Sequence, residues 1–250
     1  LGCMNAADLN DMIVGGHLAD FIRVNEALHD QSIGGIAQGI ADRGARAIFV
    51  SGPSSSGKTT FANRLCIHLR VLGLRPVLIS LDDFYRDQDT LPLEADGKPD
   101  LEAITALDVG YFRECMGKLL RGETAQMPHF DFHTKKRSGC MKELRLEDGQ
   151  VMVLEGIHCL NPAMHEGIDP SLIAKVYISE LTCLNLDNHN RIRTTDARLL
   201  RRIVRDNQFR GTLPAETLAM WPSVRRGEEK WIFPYQEQAD AIFNSSLTYE

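Results

Sequence analysis

Long apolar runs are missing from this chain of 250 residues. None approaches the roughly 20 residues that a bilayer-spanning helix requires, and no basic-then-apolar leader opens the sequence. That excludes a membrane-crossing helix from the reading and makes a cytoplasmic chain the expectation. An excess of positive charge is missing too: 28 Lys and Arg stand against 34 Asp and Glu, for a formal net charge of -6. Such a balance disfavours nucleic acid or an anionic membrane surface as the main partner. Small molecules are the expected partners, and a homo-oligomer is left open. The six cysteines (Cys3, Cys66, Cys115, Cys140, Cys159 and Cys183) include no C-x-x-C pair, so the chain reads as reduced and intracellular. Internal repeats and low-complexity tracts are absent, which excludes solenoids and arrays. What remains, 43% hydrophobic and 25% charged, suits one main globular core, with or without an appendage. The chain opens at Leu1 and not at Met, which leaves room for an upstream segment.

Periodicity supplies the architecture. Two amphipathic stretches, Leu18, Phe21, Ile22 and Leu28, then Ile33, Ile36, Ala37 and Ile40, predict two helices packed beside the main domain, the second closed by Gly44. Residues 1–45 therefore read as an N-terminal helical segment or linker, and 46–250 as the main domain. A short buried strand, Ala47–Val50, enters the stretch SGPSSSGKTT, and a helix with Phe61, Leu65, Leu69 and Leu72 on one face leaves it, ending at Gly73. Apolar strand signals recur at Pro76–Leu81, Val151–Leu154, Ala174–Ile178 and Ala241–Phe243. Strands alternating with helices predict an α/β fold, a mostly parallel five-stranded sheet flanked by helices, with functional residues at the carboxyl ends of the strands. Residues 86–145, rich in Pro, Gly, Asp and His, read as a substrate-binding insertion with one helix at Val109–Leu120, and 183–230 as an arginine-bearing lid.

The residues in SGPSSSGKTT fit the phosphate-loop pattern G-x-x-x-x-G-K-[ST] from Gly52 to Thr59. Gly52, Pro53, Ser54, Ser55, Ser56, Gly57 and Thr60 are the expected lining of the donor phosphates. Glycine lets backbone amides face a phosphate, and the positive end of the next helix points the same way. Lys58 is placed to reach β and γ phosphates and Thr59 to hold magnesium. The competing reading, a Ser/Gly linker matching by accident, is weakened by the strand before and the helix after. Asp82, at the end of a strand, suits a general base or a magnesium contact, or a turn cap. Glu155 ends the strand VMVL and suits the metal side. Arg198, Arg201, Arg202, Arg205 and Arg210 fit either a solvated helix face or phosphate-neutralising groups, two or three of the five being expected to act. His129 and His133 flank FDF; Pro128 and the aromatics argue against a helical metal pair, and contact with a polar substrate is the expectation.

In this order GPSSSGKTT, ISLDDFYR, PHFDFHTKKR, VLEGIH, DARLLRRIVRDNQFRG and IFPYQEQADAIFNSS resemble the phosphoribulokinase/uridine kinase family over most of Ala47 to Ser246. The resemblance implies a P-loop kinase using ATP and Mg2+ on a ribose-type hydroxyl, typically the 5'-hydroxyl of uridine or cytidine. It makes Asp82 the catalytic acid, with Lys58, Arg205 and Arg210 on phosphates, and places Thr59, Asp82 and Glu155 on the metal side. Arg202, Tyr85, Phe130, His133 and Arg137 fall at substrate positions. Asp100 resembles the acid that binds sugar hydroxyls, but PDLEAITALD is longer than the family's usual stretch and leaves Asp100 and Glu102 as alternatives.

Departures gather in one place. Where uridine-cytidine kinases carry Y-D-F-x-x-H-S-R, this chain has Phe130 without the hydroxyl and Lys135 in place of the imidazole, and Met220 stands for a glutamine near the base. A site stripped of its base-reading hydrogen bonds loses discrimination. A sugar phosphate or other small alcohol is therefore an alternative acceptor, met by Lys135 and Lys136, and a nucleotide-sensing ATPase module is a third reading. The segment from His17 to Gly44 also resembles the linker after a threonyl-tRNA-synthetase-like region in a fused branch of the family.

Overall fold

Strand β1 (Ala47–Ser51) is buried along its whole length, and its side chains alternate between two hydrophobic layers. Ala47 and Phe49 face one layer, Ile48 and Val50 the other. A strand buried on both faces needs helices above and below, and the chain supplies them. The computed structural model describes residues 2–91, 93, 97, 99–131, 134–139 and 141–250. In chain order its elements are α1 (Ala6–Val14), α2 (Leu18–Asp42), β1, α3 (Lys58–Val71), β2 (Arg75–Ser80), α4 (Val109–Leu120), β3 (Ala125–Met127), β4 (Phe130–Asp131), β5 (Lys136–Arg137), β6 (Lys142–Leu144), β7 (Gln150–Glu155), α5 (Pro162–His165), β8 (Ile173–Ser179), α6 (Thr194–Phe209), α7 (Pro214–Trp231) and β9 (Ala241–Asn244), with short 3-10 turns between.

The main sheet runs β2-β7-β1-β8-β9, and every pairing in it is parallel. Register aligns Val50 with Glu155 and Ser80 with Glu155, so Ser51, Ser80 and Glu155 finish at one edge. One layer packs Phe84, Phe112, Met116 and Leu119 under the sheet; the other packs Ile33, Ala37, Ile40, Phe61, Leu65 and Leu69 over it. The expected insertion contains α4 and two small antiparallel pairs, β3 with β6 and β4 with β5.

The two expected N-terminal helices are one continuous helix of 25 residues. Gly34 and Gly35 weaken it by about 1 kcal/mol each relative to alanine, but tertiary burial of Ile33, Ala37 and Ile40 overrides that local cost. Leu28 and Leu72, assigned to buried faces, are exposed at 47% and 38%, so the inward faces are narrower than the sequence pattern implied. Helix α1, which the sequence pattern left unassigned, has no buried residue and is capped by Asn5 with Asp8 returning the bond. Among the described residues no helix is long and apolar enough to cross a membrane.

Candidate active site

The loop between β1 and α3 takes its shape from contacts that only glycine permits. A Cβ on Gly52 would sit 2.1 Å from the Ile178 carbonyl oxygen and 2.8 Å from Ser56 Oγ. Gly57 caps α3 at φ 85°, a left-handed conformation that side chains resist. Ser55 also takes a positive φ of 58°, and such alternation turns successive amides inward as a nest for an anion. Lys58 Nζ folds back to donate to the Pro53 carbonyl at 3.1 Å. The buried hydroxyls of Ser55 and Ser56 have no hydrogen-bond partner in the protein, while Thr59 and Thr60 lie on the first turn of α3, both exposed. Orphaned hydroxyls, a cradle that a Cβ would fill and a helix N-terminus together fit a polyphosphate.

Carboxylates face the loop from the ends of two neighbouring strands. Ser80 Oγ donates to Glu155 Oε1 at 3.1 Å and accepts from the Asp82 amide at 3.3 Å, tying the two acids to one hydroxyl. Burial pushes the Asp82 carboxyl up to about 6, the charge of Glu155 adds to the rise, and Lys58, Arg210 and Arg205 oppose it. Burial lowers the Lys58 ammonium against the pull of Glu155 and Asp82. A hard cation bound through one or two protein oxygens and substrate phosphates suits Thr59, Asp82 and Glu155. Asp83 looks elsewhere: its Oδ1 bonds His129 Nδ1 at 2.8 Å and the Phe130 amide at 3.3 Å, which anchors the insertion.

On the far side of Asp82 the two acids left open by the sequence, Asp100 and Glu102, are oriented differently. Asp100 Oδ1 accepts from the amides of Glu102 at 3.2 Å and Ala103 at 3.0 Å, so it caps its own turn. Glu102 lies in the electrostatic reach of Arg202, Lys58 and Asp82, and burial raises its carboxyl to about 7 although Arg202 pulls it down. Helix α7 closes over it, because a Cβ on Gly227 would lie 2.3 Å from Glu102 Cβ. Tyr85 donates its phenol to the Leu101 carbonyl at 3.1 Å, and its ring meets the buried Phe130 at 5.6 Å. Arg137 spends its hydrogen bonds on Asp108 and the Phe84 carbonyl. His133 lies outside the described residues.

The five arginines divide. Arg202, Arg205 and Arg210 converge on Asp206, a buried acid that carries no signal of its own in the sequence, at 3.2, 2.8 and 3.8 Å. Arg202 also donates to Ser54 Oγ at 2.7 Å. Arg201 turns to Glu250 and the Ser245 carbonyl. Arg198 is fully buried and forms a two-pronged pair with Glu228 at 2.5 and 3.0 Å. Glu228 accepts in addition from the Ser54 amide at 3.1 Å and from Arg225 at 2.6 Å, and Arg198 donates to the Ser54 carbonyl at 3.1 Å. Both α6 and α7 are thereby fastened to one residue of the phosphate loop. Nothing in the local sequence around Glu228 points to a partner 174 residues away.

Comparison with known proteins agrees with this geometry. The model of the phosphoribulokinase / uridine kinase family matches residues 47–249. Curated relatives include a uridine kinase of Geobacillus sp. (strain WCH70), 30% identical over 197 residues covering 78% of this chain and 83% of the relative. Another is a uridine kinase of Deinococcus deserti, 29% identical and covering 78% and 85%. Among solved structures, a D-glycerate 3-kinase from Cryptococcus neoformans var. grubii superposes with a TM-score of 0.59 at 18% identity, over 86% of this chain and 95% of that one, and shares the fold. The family match begins at Ala47, so the likeness of the preceding segment to a synthetase-associated linker gains no support from it.

Proposed function

Because the chain belongs to the phosphoribulokinase/uridine kinase family and is a kinase, we propose that it transfers the γ-phosphate of ATP, with Mg2+, to a ribose-type hydroxyl of a nucleoside of the uridine or cytidine kind. The observation that carries this reading is the position of Asp82. It shares the hydroxyl of Ser80 with Glu155 and feels the charges of Glu155 and Lys58 on the phosphate side, and its own charge acts in turn on Glu102, which Arg202 faces on the acceptor side.

The geometry supports the following steps. Lys58 and the amides of the loop bind the donor phosphates, and α6 brings Arg205 and Arg210 to neutralise charge on the transferred group. Thr59 and Glu155 are the residues that would hold magnesium, which would supply further charge neutralisation when bound. Asp82, titrating near 6, is a carboxylate at neutral pH and takes the proton of the acceptor hydroxyl as it attacks. Glu102 accepts from neighbouring sugar hydroxyls, and Arg202, fixed by Ser54 and Asp206, orients the acceptor. Positioning and charge account for catalysis, with no covalent intermediate on the protein.

A second acceptor class, a sugar phosphate or other small alcohol, is favoured by one feature. Phe130 is buried against Tyr85 with no hydroxyl to read a base, and Met220 is 37% exposed on α7. Acceptor-dependent ADP release across pyrimidine and purine nucleosides, ribulose 5-phosphate and glycerate separates the two. A clear preference for uridine or cytidine supports the nucleoside reading, turnover of a base-free alcohol supports the second, and no acceptor-dependent release overturns both.

A further inference from the structure

In-line transfer puts the leaving oxygen of the donor opposite the acceptor oxygen. With the acceptor beside Asp82 and Glu102, the rest of the donor must run from the loop in the other direction. A cleft of about 420 Å³ opens there, continuous with Ser55 and Gly57–Thr60, and none of Asp82, Glu102, Glu155 or Tyr85 lines it. Its volume lies within the range of small-ligand sites, and Phe61, Phe243, Leu247, Ile33 and His29 form an apolar and aromatic part of its wall. Arg64, Arg201, Arg205 and Glu250 form a charged part. Ile33 and His29 belong to α2, which precedes the part of the chain that matches the family.

Helix α2 is tied into this cleft at several points. Asp30 accepts from Arg64 at 2.6 Å, fixing α2 to the first turns of α3. His29 sets its ring edge-on to Phe243 at 5.1 Å, and Phe243 meets Phe61 at 4.9 Å, which completes a continuous aromatic wall. His29 Nε2 lies 3.0 Å from the Ser246 carbonyl oxygen, and Tyr249 donates to Glu26 at 3.3 Å. A carbonyl only accepts, so Nε2 carries the proton, and α2 thereby holds the segment after β9 over the cleft. Burial lowers the pKa of His29, with the Arg64 and Arg201 charges pushing the same way and the Ser246 hydrogen bond and Glu250 opposing, which favours the neutral ring.

We propose that α2 forms a wall of the pocket for the donor's base, and that His29 is a positioning residue there, holding the segment 245–247 so that Leu247 and Phe243 enclose the base. This inference rests on the reading of the loop as the ATP phosphate site. It makes a helix outside the family's common domain part of donor recognition in this chain.

Calorimetric titration of the full chain with magnesium ATP and with magnesium tripolyphosphate, without acceptor, tests it. His29→Ala should weaken ATP about five- to tenfold, the scale of one hydrogen bond, and leave tripolyphosphate unchanged. His29→Gln, whose amide can still donate to Ser246, should recover most of the loss. In turnover the His29→Ala substitution should raise KM for ATP while kcat and the acceptor KM stay constant, which a general loosening of the fold would not do. Equal ATP affinity in wild type and His29→Ala, or equal weakening of ATP and tripolyphosphate, would overturn the proposal. Failure of the wild-type chain to bind either ligand would overturn the donor reading itself, and that result appears before any substitution is made.

Discussion

Replacing Glu102 by glutamine keeps the shape of the side chain and removes its charge, which isolates its proposed part in holding the acceptor. Burial raises this carboxyl to about 7, with Arg202 opposing, so about half of the molecules carry the carboxylate at neutral pH. The glutamine oxygen can still accept, but a hydrogen bond to a charged group contributes about 1.5–3 kcal/mol against about 0.5–1.5 for a neutral one, so removing the charge should lower kcat/KM for the acceptor by roughly 5- to 15-fold while leaving ATP binding intact. The pH profile carries the sign. Acceptor capture needs the carboxylate, so kcat/KM should rise as pH increases through about 7 and level off above it. Glu102→Gln should erase that limb and leave the lower one set by Asp82 near 6. Asp100→Asn is the control. Its amide oxygen can still accept from the amides of Glu102 and Ala103, so the turn and the turnover should persist. Coupled ADP release at varied acceptor and pH decides. A larger loss for Asp100→Asn than for Glu102→Gln, or a limb near 7 that survives in Glu102→Gln, would refute the assignment.

Asp82→Asn should slow single-turnover transfer by roughly 10²-fold or more with ATP affinity retained; Asp83→Asn should instead lower thermal stability by loosening the anchor to His129 and Phe130. Glu228→Gln strands the buried Arg198, and urea unfolding should show a loss of about 3–5 kcal/mol, much of it recovered when Arg198→Met and Glu228→Leu are combined. A loss near zero would mean the loop and the α6–α7 pair are not coupled. His158 is fully buried beside Trp231, and burial depresses its pKa to about 4. With the folded value below the unfolded one near 6.5, its contribution is complete above about pH 6.5 and fades as pH falls toward 4, amounting to about 2 kcal/mol between pH 7 and 5. Replacing it with leucine should remove that share of the acid sensitivity, and an unchanged pH dependence of unfolding would contradict the burial effect.

Features governed by neighbours in the chain were legible without coordinates. The phosphate loop is one, because its glycines, its lysine and the start of α3 lie within a few residues and their backbone needs are local. The strands are another: continuous apolar runs at β1, β7 and β8 name a parallel sheet buried on both faces, and Asp82 and Glu155 emerge as residues at strand ends. Helix α4 was readable to the residue, since Asp108 caps it and its apolar face has the right period. Tertiary structure alone decided the rest. Whether Asp82 or Asp83 faces the loop depends on His129 and Phe130, 46 and 47 residues away. Which of Asp100 and Glu102 caps its own turn and which lies under α7 depends on the turn's hydrogen bonds and on the approach of Gly227. Five arginines close together in the chain look alike in sequence; Asp206 gathers three of them, and Glu228 with Ser54 makes a buried latch of Arg198. Local propensity reports the state of a segment, whereas the direction of a charged side chain is set by the desolvation and pairing that distant segments impose when they pack.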